Sequence, residues 1–291
     1  MPNKASTTVQ SRSVTSADGT KVWAEAVGDA RKPAVIFVHG FSGCRLVFEK
    51  QFEDPRLVER LFLIRYDLRG HGSSDQPVHA EAYTSQRIAE DFVAVCEAFG
   101  VKKAFLAGWS YGGSIAADLL AHYGPEYIPI AGDILLAGVP YLSMFGDVAH
   151  DVVMGIFPGL LSSEVEAFSK SVDDLIDSCV ADGFEVSDAT RWAWIGAAAT
   201  QRPAVRHLLR ARTQDATNFL STSTRGKLPL LVIQGTKDKH IYHEKMEKFV
   251  RTTFGDAAEY HRLDGVGHSP FHERPETVNR LILDFIERVS G

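Results

Sequence analysis

The chain has 291 residues, of which 45% are hydrophobic and 23% charged, the make-up of a soluble globular protein with one large core. Its net charge is −6, from 37 acidic against 31 basic residues. With no cluster of lysines and arginines, that balance argues against nucleic acid or an anionic membrane surface as the main partner.

In chain order, two short strands near Val9–Val14 and Lys21–Val27 flank the turn Ala17-Asp18-Gly19, a hairpin signal. Ala34–Val38 is a continuous apolar run of the kind a parallel sheet buries on both faces, followed by His39-Gly40-Phe41. Leu61–Tyr66 is a second such run and leads into the glycine-rich turn 67–75. Ile88, Phe92, Val95, Cys96 and Phe99 recur at helical spacing up to Gly100. Lys103–Ala107 reads as a buried strand, Gly108-Trp109-Ser110-Tyr111-Gly112-Gly113 as a sharp turn, and Ser114–Tyr123 as a helix. Asp133–Ala137 is the next strand. From residue 141 to 226 the strand rhythm stops, and helical patterns take over at 162–180 and 188–200. Strands resume at Leu230–Gln234 and Glu259–Leu263, and a last helix follows Pro275. The order predicts an α/β fold: a mostly parallel sheet of about eight strands flanked by helices, with an inserted helical cap. The core domain is expected at 1–140 and 227–291, and the cap at 141–226.

A serine hydroxyl is a poor nucleophile until a base takes its proton, and the base needs an orienting acid. Ser110 lies on the strand-to-helix turn, where flanking glycines allow a tight backbone and the helix N-terminus favours developing negative charge. Asp238, in Gln234-Gly-Thr-Lys-Asp238, follows one strand and is the acid expected over its rivals Asp147, Asp151 and Asp264. His268, in Gly265-Val-Gly-His268, follows the last strand. The C-terminal ends of parallel strands form one rim, so the three side chains can converge there as nucleophile, acid and base. The main-chain N–H groups of Phe41 and Tyr111 are the expected donors to an oxyanion at the same rim.

The segments HGFSG (39–43), DLRGHGSSD (67–75), GWSYGG (108–113), QGTKD (234–238) and GVGHSPFHERPE (265–276) together resemble the α/β-hydrolase superfamily. The likeness is greatest to the branch of capped serine esterases and cofactor-free haloperoxidases. It implies the same nucleophile, acid and base, and main-chain oxyanion donors at Phe41 and Tyr111. Epoxide hydrolases and haloalkane dehalogenases of this fold use an aspartate where this chain has Ser110. Many epoxide hydrolases also carry a proline where it has Ser42.

The expected activity is hydrolysis of carboxylic esters of small to medium, mainly apolar substrates through an acyl-enzyme on Ser110. C–C bond hydrolysis, acyl transfer with the same three residues, and a slow-turnover ligand receptor on this fold remain open. In the cap, Tyr141, Phe145, Trp192 and Trp194 are candidates to line a substrate pocket. Met144, Met154, Phe157 and Phe219 could do the same or simply pack.

His39 and His71 are expected to brace loops, and His272 to pack or face solvent. The pair His240-x-x-His243 lacks further ligands at metal-binding spacing, so no metal or other cofactor is expected. Cys44, Cys96 and Cys179 form no disulfide framework, and Cys44 reads as a packing residue. The polar start MPNKASTTVQSRSVTSADG has no apolar core of a secretory signal, and no apolar run is long enough to span a membrane. A cytoplasmic location is the expectation, with no membrane partner.

Overall fold

The computed structural model describes residues 8–124 and 128–291, so the first residues of the polar start lie outside it. One eight-stranded sheet runs through the molecule. Its strands are β1 (Gln10–Thr15), β2 (Lys21–Gly28), β3 (Ala34–Val38), β4 (Phe62–Tyr66), β5 (Ala104–Trp109), β6 (Ile130–Leu136), β7 (Leu230–Gly235) and β8 (Ala258–Leu263). Their spatial order is β1-β2-β4-β3-β5-β6-β7-β8. β1, β2 and β4 pair antiparallel, and every later neighbour is parallel.

The central strands β3, β4, β5 and β7 are buried along their whole length and are apolar apart from Arg65 in β4 and Gln234 in β7. Side chains alternate between the two faces. Ile36, Leu106 and Val232 enter one core with the Ser85–Ala98 and Ile115–Tyr123 helices. Val35, Phe37, Phe105 and Leu231 enter the other, beneath Ile282 and Phe285 of the Pro275–Ser290 helix. The Ser85–Ala98 helix forms where the sequence predicts it: Thr84 accepts a bond from the Arg87 N–H, and Ile88, Phe92, Val95 and Cys96 make its buried stripe.

The segment between β6 and β7 is helical and holds no strand among the described residues. Its longer helices are Asp151–Leu160, Val165–Ser178, Asp188–Thr200, Pro203–Ala211 and Thr217–Thr224. Ile156, Leu160, Val172, Leu175 and Ala198 give it a small core of its own. The Thr217–Thr224 helix instead joins the sheet's core: Phe219 is fully buried there, 6.2 Å from Phe254. No described helix is long and apolar enough to cross a membrane.

Candidate active site

At the end of β5 the backbone turns sharply into the Ser110–Ser114 turn and the Ile115–Tyr123 helix. Ser110 has φ +53°, a left-handed conformation that costs a non-glycine residue energy and is kept only where the surroundings fix it. The glycines on either side explain how the turn fits. A Cβ on Gly108 would lie 2.4 Å from the Gly112 carbonyl oxygen, and one on Gly112 would lie 2.3 Å from that of Val38. Ser110 is left half-buried, facing a cavity.

The loops after β7 and β8 are bonded together: the Thr236 and Lys237 N–H groups donate to the Leu263 and Val266 carbonyls. This brings Asp238 against His268. Nδ1 of His268 lies 2.9 Å from Oδ2 of Asp238, with both side chains buried. The same oxygen accepts from Gln234 Nε2 (2.6 Å), and Oδ1 accepts from the His240 and Ile241 N–H groups (2.6 and 2.9 Å). A carboxylate accepting four bonds is fixed in orientation, and its bond to His268 puts that ring's proton on Nδ1. Nε2 of His268 is then a bare acceptor. It is buried and has no hydrogen-bond partner among the described residues. His268 and Ser110 border the same cavity, as do Phe41 and Tyr111.

Three further contacts hold the histidine. Trp109 Nε1 donates to the His268 carbonyl at 2.8 Å. The His240 ring stacks on the His268 ring, with centroids 3.9 Å apart and planes at 31°. His240 Nε2 reaches Ser178 Oγ at 2.7 Å, and that hydroxyl donates to the Leu175 carbonyl. Burial, reinforced by His268 alongside, keeps His240 neutral well below the usual histidine range. Trp109, Gln234 and His240 all lie in or beside motifs visible in the sequence. Only their proximity to Ser110 and Asp238 marked them, and their partners were not legible.

His39 and His71 brace loops, as expected. His39 Nε2 accepts from the Leu68 N–H (3.0 Å) while Nδ1 donates to the Gly40 carbonyl (2.8 Å). His71 Nε2 accepts from the Ser42 N–H (3.2 Å). Burial pushes them down to about 4 and about 3, so both stay neutral. His272 is buried against Trp194 and Phe184 and is pushed down to about 4 by burial, so it packs rather than facing solvent. Burial raises the Cys44 thiol to about 11, which makes it an inert packing residue. The histidines of the H-x-x-H part company: His240 turns to Ser178 and His243 to Glu244.

The cavity measures about 350 Å³, within the usual range for a small-molecule site. Its walls are mostly apolar and come largely from the helices between β6 and β7. Of the four aromatic candidates, Phe145 and Trp194 line it. Tyr141 and Trp192 do not, which corrects the expectation for both. Tyr141 packs edge-on against Phe249 (6.0 Å), and its neighbour Leu142 faces the cavity instead. Trp192 is 68% exposed, while Trp194, two residues on, is 4% exposed. A separation of two residues turns a side chain about 200° around a helix, so both could not face the same cavity. Phe157 also lines it, whereas Met154 is exposed and Phe219 is in the sheet's core.

Comparison with known proteins agrees with this fold. An AB hydrolase superfamily protein of Bacillus subtilis, YisY, is 27% identical over 270 residues, covering 91% of this chain and 94% of that protein. A solved structure from Burkholderia cenocepacia, assigned as an aryl esterase, superposes with a TM-score of 0.84 at 28% identity over 96% of this chain and 99% of its own. Esterase RhEst1 from Rhodococcus sp. ECU1013 also reaches a TM-score of 0.84, at 25% identity over 96% of this chain and 99% of its own. The model of the α/β-hydrolase fold family matches residues 33–275, a span that runs from β3 past His268. With its mostly parallel sheet, its strained serine turn and a histidine–aspartate pair at one rim, this chain belongs to the α/β-hydrolase family.

Proposed function

We propose that the protein is a serine esterase that cleaves small to medium, mainly apolar carboxylic esters and uses no metal or organic cofactor. One observation carries the reading: Asp238 fixes His268 so that its unprotonated Nε2 is buried, without a partner among the described residues, at the cavity that Ser110 faces. In the proposed reaction, Ser110 Oγ attacks the ester carbonyl and its proton passes to Nε2 of His268. The carbonyl electron pair moves onto oxygen, where the Phe41 and Tyr111 N–H groups hold the charge. When the intermediate collapses, the carbon–oxygen bond breaks and His268 protonates the departing alcohol. Water, deprotonated by the same nitrogen, then attacks the acyl-enzyme, and the acid leaves as Ser110 recovers its proton. Asp238 keeps the tautomer and stabilises the imidazolium. The helices of 141–226 act as a cap whose apolar side chains, Phe145, Phe157 and Trp194 among them, receive the acyl or alcohol chain.

Esterases among its structural relatives support ester hydrolysis over C–C cleavage. The test is turnover of p-nitrophenyl esters from acetate to decanoate by the wild type and Ser110→Ala. Sustained turnover is expected, with an optimum at short to medium chains and a loss of about six orders of magnitude in the variant. A single burst without turnover would favour a receptor or an acyltransferase. Near-wild-type activity of Ser110→Ala would overturn the assignment.

A further inference from the structure

Arg212 comes from the helical segment between β6 and β7, yet its side chain is buried beneath the turn that carries Ser110. Nε donates to the Tyr111 hydroxyl at 2.5 Å, Nη1 to Asp118 Oδ1 at 2.7 Å, and Nη2 to Ser114 Oγ at 3.3 Å. Both members of the Arg212–Asp118 pair are buried, at 1% and 0% side-chain exposure. Two residues on, Gln214 Nε2 donates to the Ser114 carbonyl at 2.7 Å while its Oε1 accepts from the Leu142 N–H at 3.0 Å. Residues 212–214 thus grip three points of the segment 111–118. Tyr111 in turn meets the Phe41 ring edge-on at 6.2 Å.

We propose that Arg212 is a positioning residue for the oxyanion site: by gripping the Tyr111 hydroxyl and the Asp118 carboxylate together, it sets the Tyr111 N–H where the developing oxyanion needs a donor. The inference rests on the reading of Ser110 as the nucleophile. Three observations support it. The turn begins at a residue in a strained conformation, which persists only where its surroundings over-determine it. Among the described residues, the hydrogen bond to the Tyr111 hydroxyl comes from Arg212. A planar guanidinium can meet a hydroxyl and a carboxylate in one fixed fork, a task an ammonium cannot copy. A buried ion pair is weak evidence for stability, because well-packed apolar side chains commonly serve as well. A geometric role explains why a charged pair occupies this position.

Two variants test it. Arg212→Met with Asp118→Asn leaves no unpaired buried charge, and Tyr111→Phe removes only the hydroxyl that Arg212 holds. Each is assayed on p-nitrophenyl butyrate, tested for inhibition by a trifluoromethyl ketone that forms a tetrahedral adduct, and checked by thermal melting. The double variant is expected to lose about 10- to 100-fold in kcat, with KM within about three-fold. Its affinity for the ketone should fall by a similar factor, because only transition-state binding is affected. Tyr111→Phe should lose about ten-fold in the same pattern. Folded variants with kcat within about two-fold of wild type, or a change in KM alone, would overturn the proposal. If the double variant does not fold, Tyr111→Phe decides. Wild-type protein without ester turnover would overturn the esterase reading, and this inference with it. Wild-type turnover with unaffected variants would overturn this inference alone.

Discussion

The strand-end loops and the helical segment between β6 and β7 meet at the same cavity but contribute in different ways. The loops after β3, β5, β7 and β8 bring Phe41, Ser110, Asp238 and His268 together largely through main-chain geometry and short-range bonds. The helical segment provides most of the apolar wall, and it also ties down each loop. Gln201 accepts from Ser42 Oγ beside Phe41, and Arg212 holds Tyr111. Ser178 holds His240 against His268, and the Ala181 N–H and Gly267 N–H share the Glu273 carboxylate. A region that only covered the cavity would need none of these bonds. The comparison therefore teaches that the helices brace the site as well as shaping its cavity.

The largest effect that can break this comparison lies on the loop side. Asp238→Asn keeps the shape of the acid but removes the acceptor that fixes the His268 tautomer. It is expected to lower kcat by about 10⁴-fold, measured on the best p-nitrophenyl ester. A loss below about ten-fold would mean that Asp238 does not orient the base.

A smaller effect separates the two faces of one helix. Trp194→Ala should cost about 3–5 kcal/mol of stability and shift the chain-length optimum, because it opens the cavity beside Trp109. Trp192→Ala should leave both within about 0.5 kcal/mol of stability and unchanged preference. Chemical denaturation and the ester series read both. Equal effects of the two substitutions would contradict the observed packing.

The last effect is read as a slope and concerns acid. In the unfolded chain His39 and His71 take up a proton near 6.5, but the folded protein resists until about 4 and about 3. Between those values the unfolded state binds more protons. The contribution of these two histidines is therefore full above pH 6.5 and is lost as pH falls toward those values. His71→Gln should make the acid side of the stability–pH curve shallower by one proton. An unchanged slope would show that His71 is protonated in the folded state. Asp133 has the opposite sign. It is wholly buried, and burial raises its carboxyl well above the usual range. Its contribution is thus lost as pH rises from 3.8.

Much of this was legible in the sequence, and the limits have physical causes. The strands were visible because buried parallel strands favour continuous apolar runs, as in Ala34–Val38 and the first four residues of Leu230–Gly235. Ser110, Asp238 and His268 were visible because each sits in a short motif next to a strand end. The cavity wall was less so. Trp192 and Trp194 are chemically alike, and only their positions around the helix tell them apart. The neighbouring Ala197 and Ala198, buried on the Trp194 side, were the available signal. The Arg212–Asp118 pair was not legible at all, because it joins residues 94 positions apart whose meeting depends on how the helices pack.

The central claim, that Ser110 is the nucleophile activated by His268, is tested most directly by covalent labelling. The wild type, Ser110→Ala and His268→Ala would each be treated with a fluorophosphonate and mapped by peptide mass spectrometry. The account predicts one phosphonyl group on Ser110 in the wild type, none in Ser110→Ala, and labelling slowed by orders of magnitude in His268→Ala. Stoichiometric labelling at another residue, or labelling of Ser110 at an undiminished rate without His268, would contradict it.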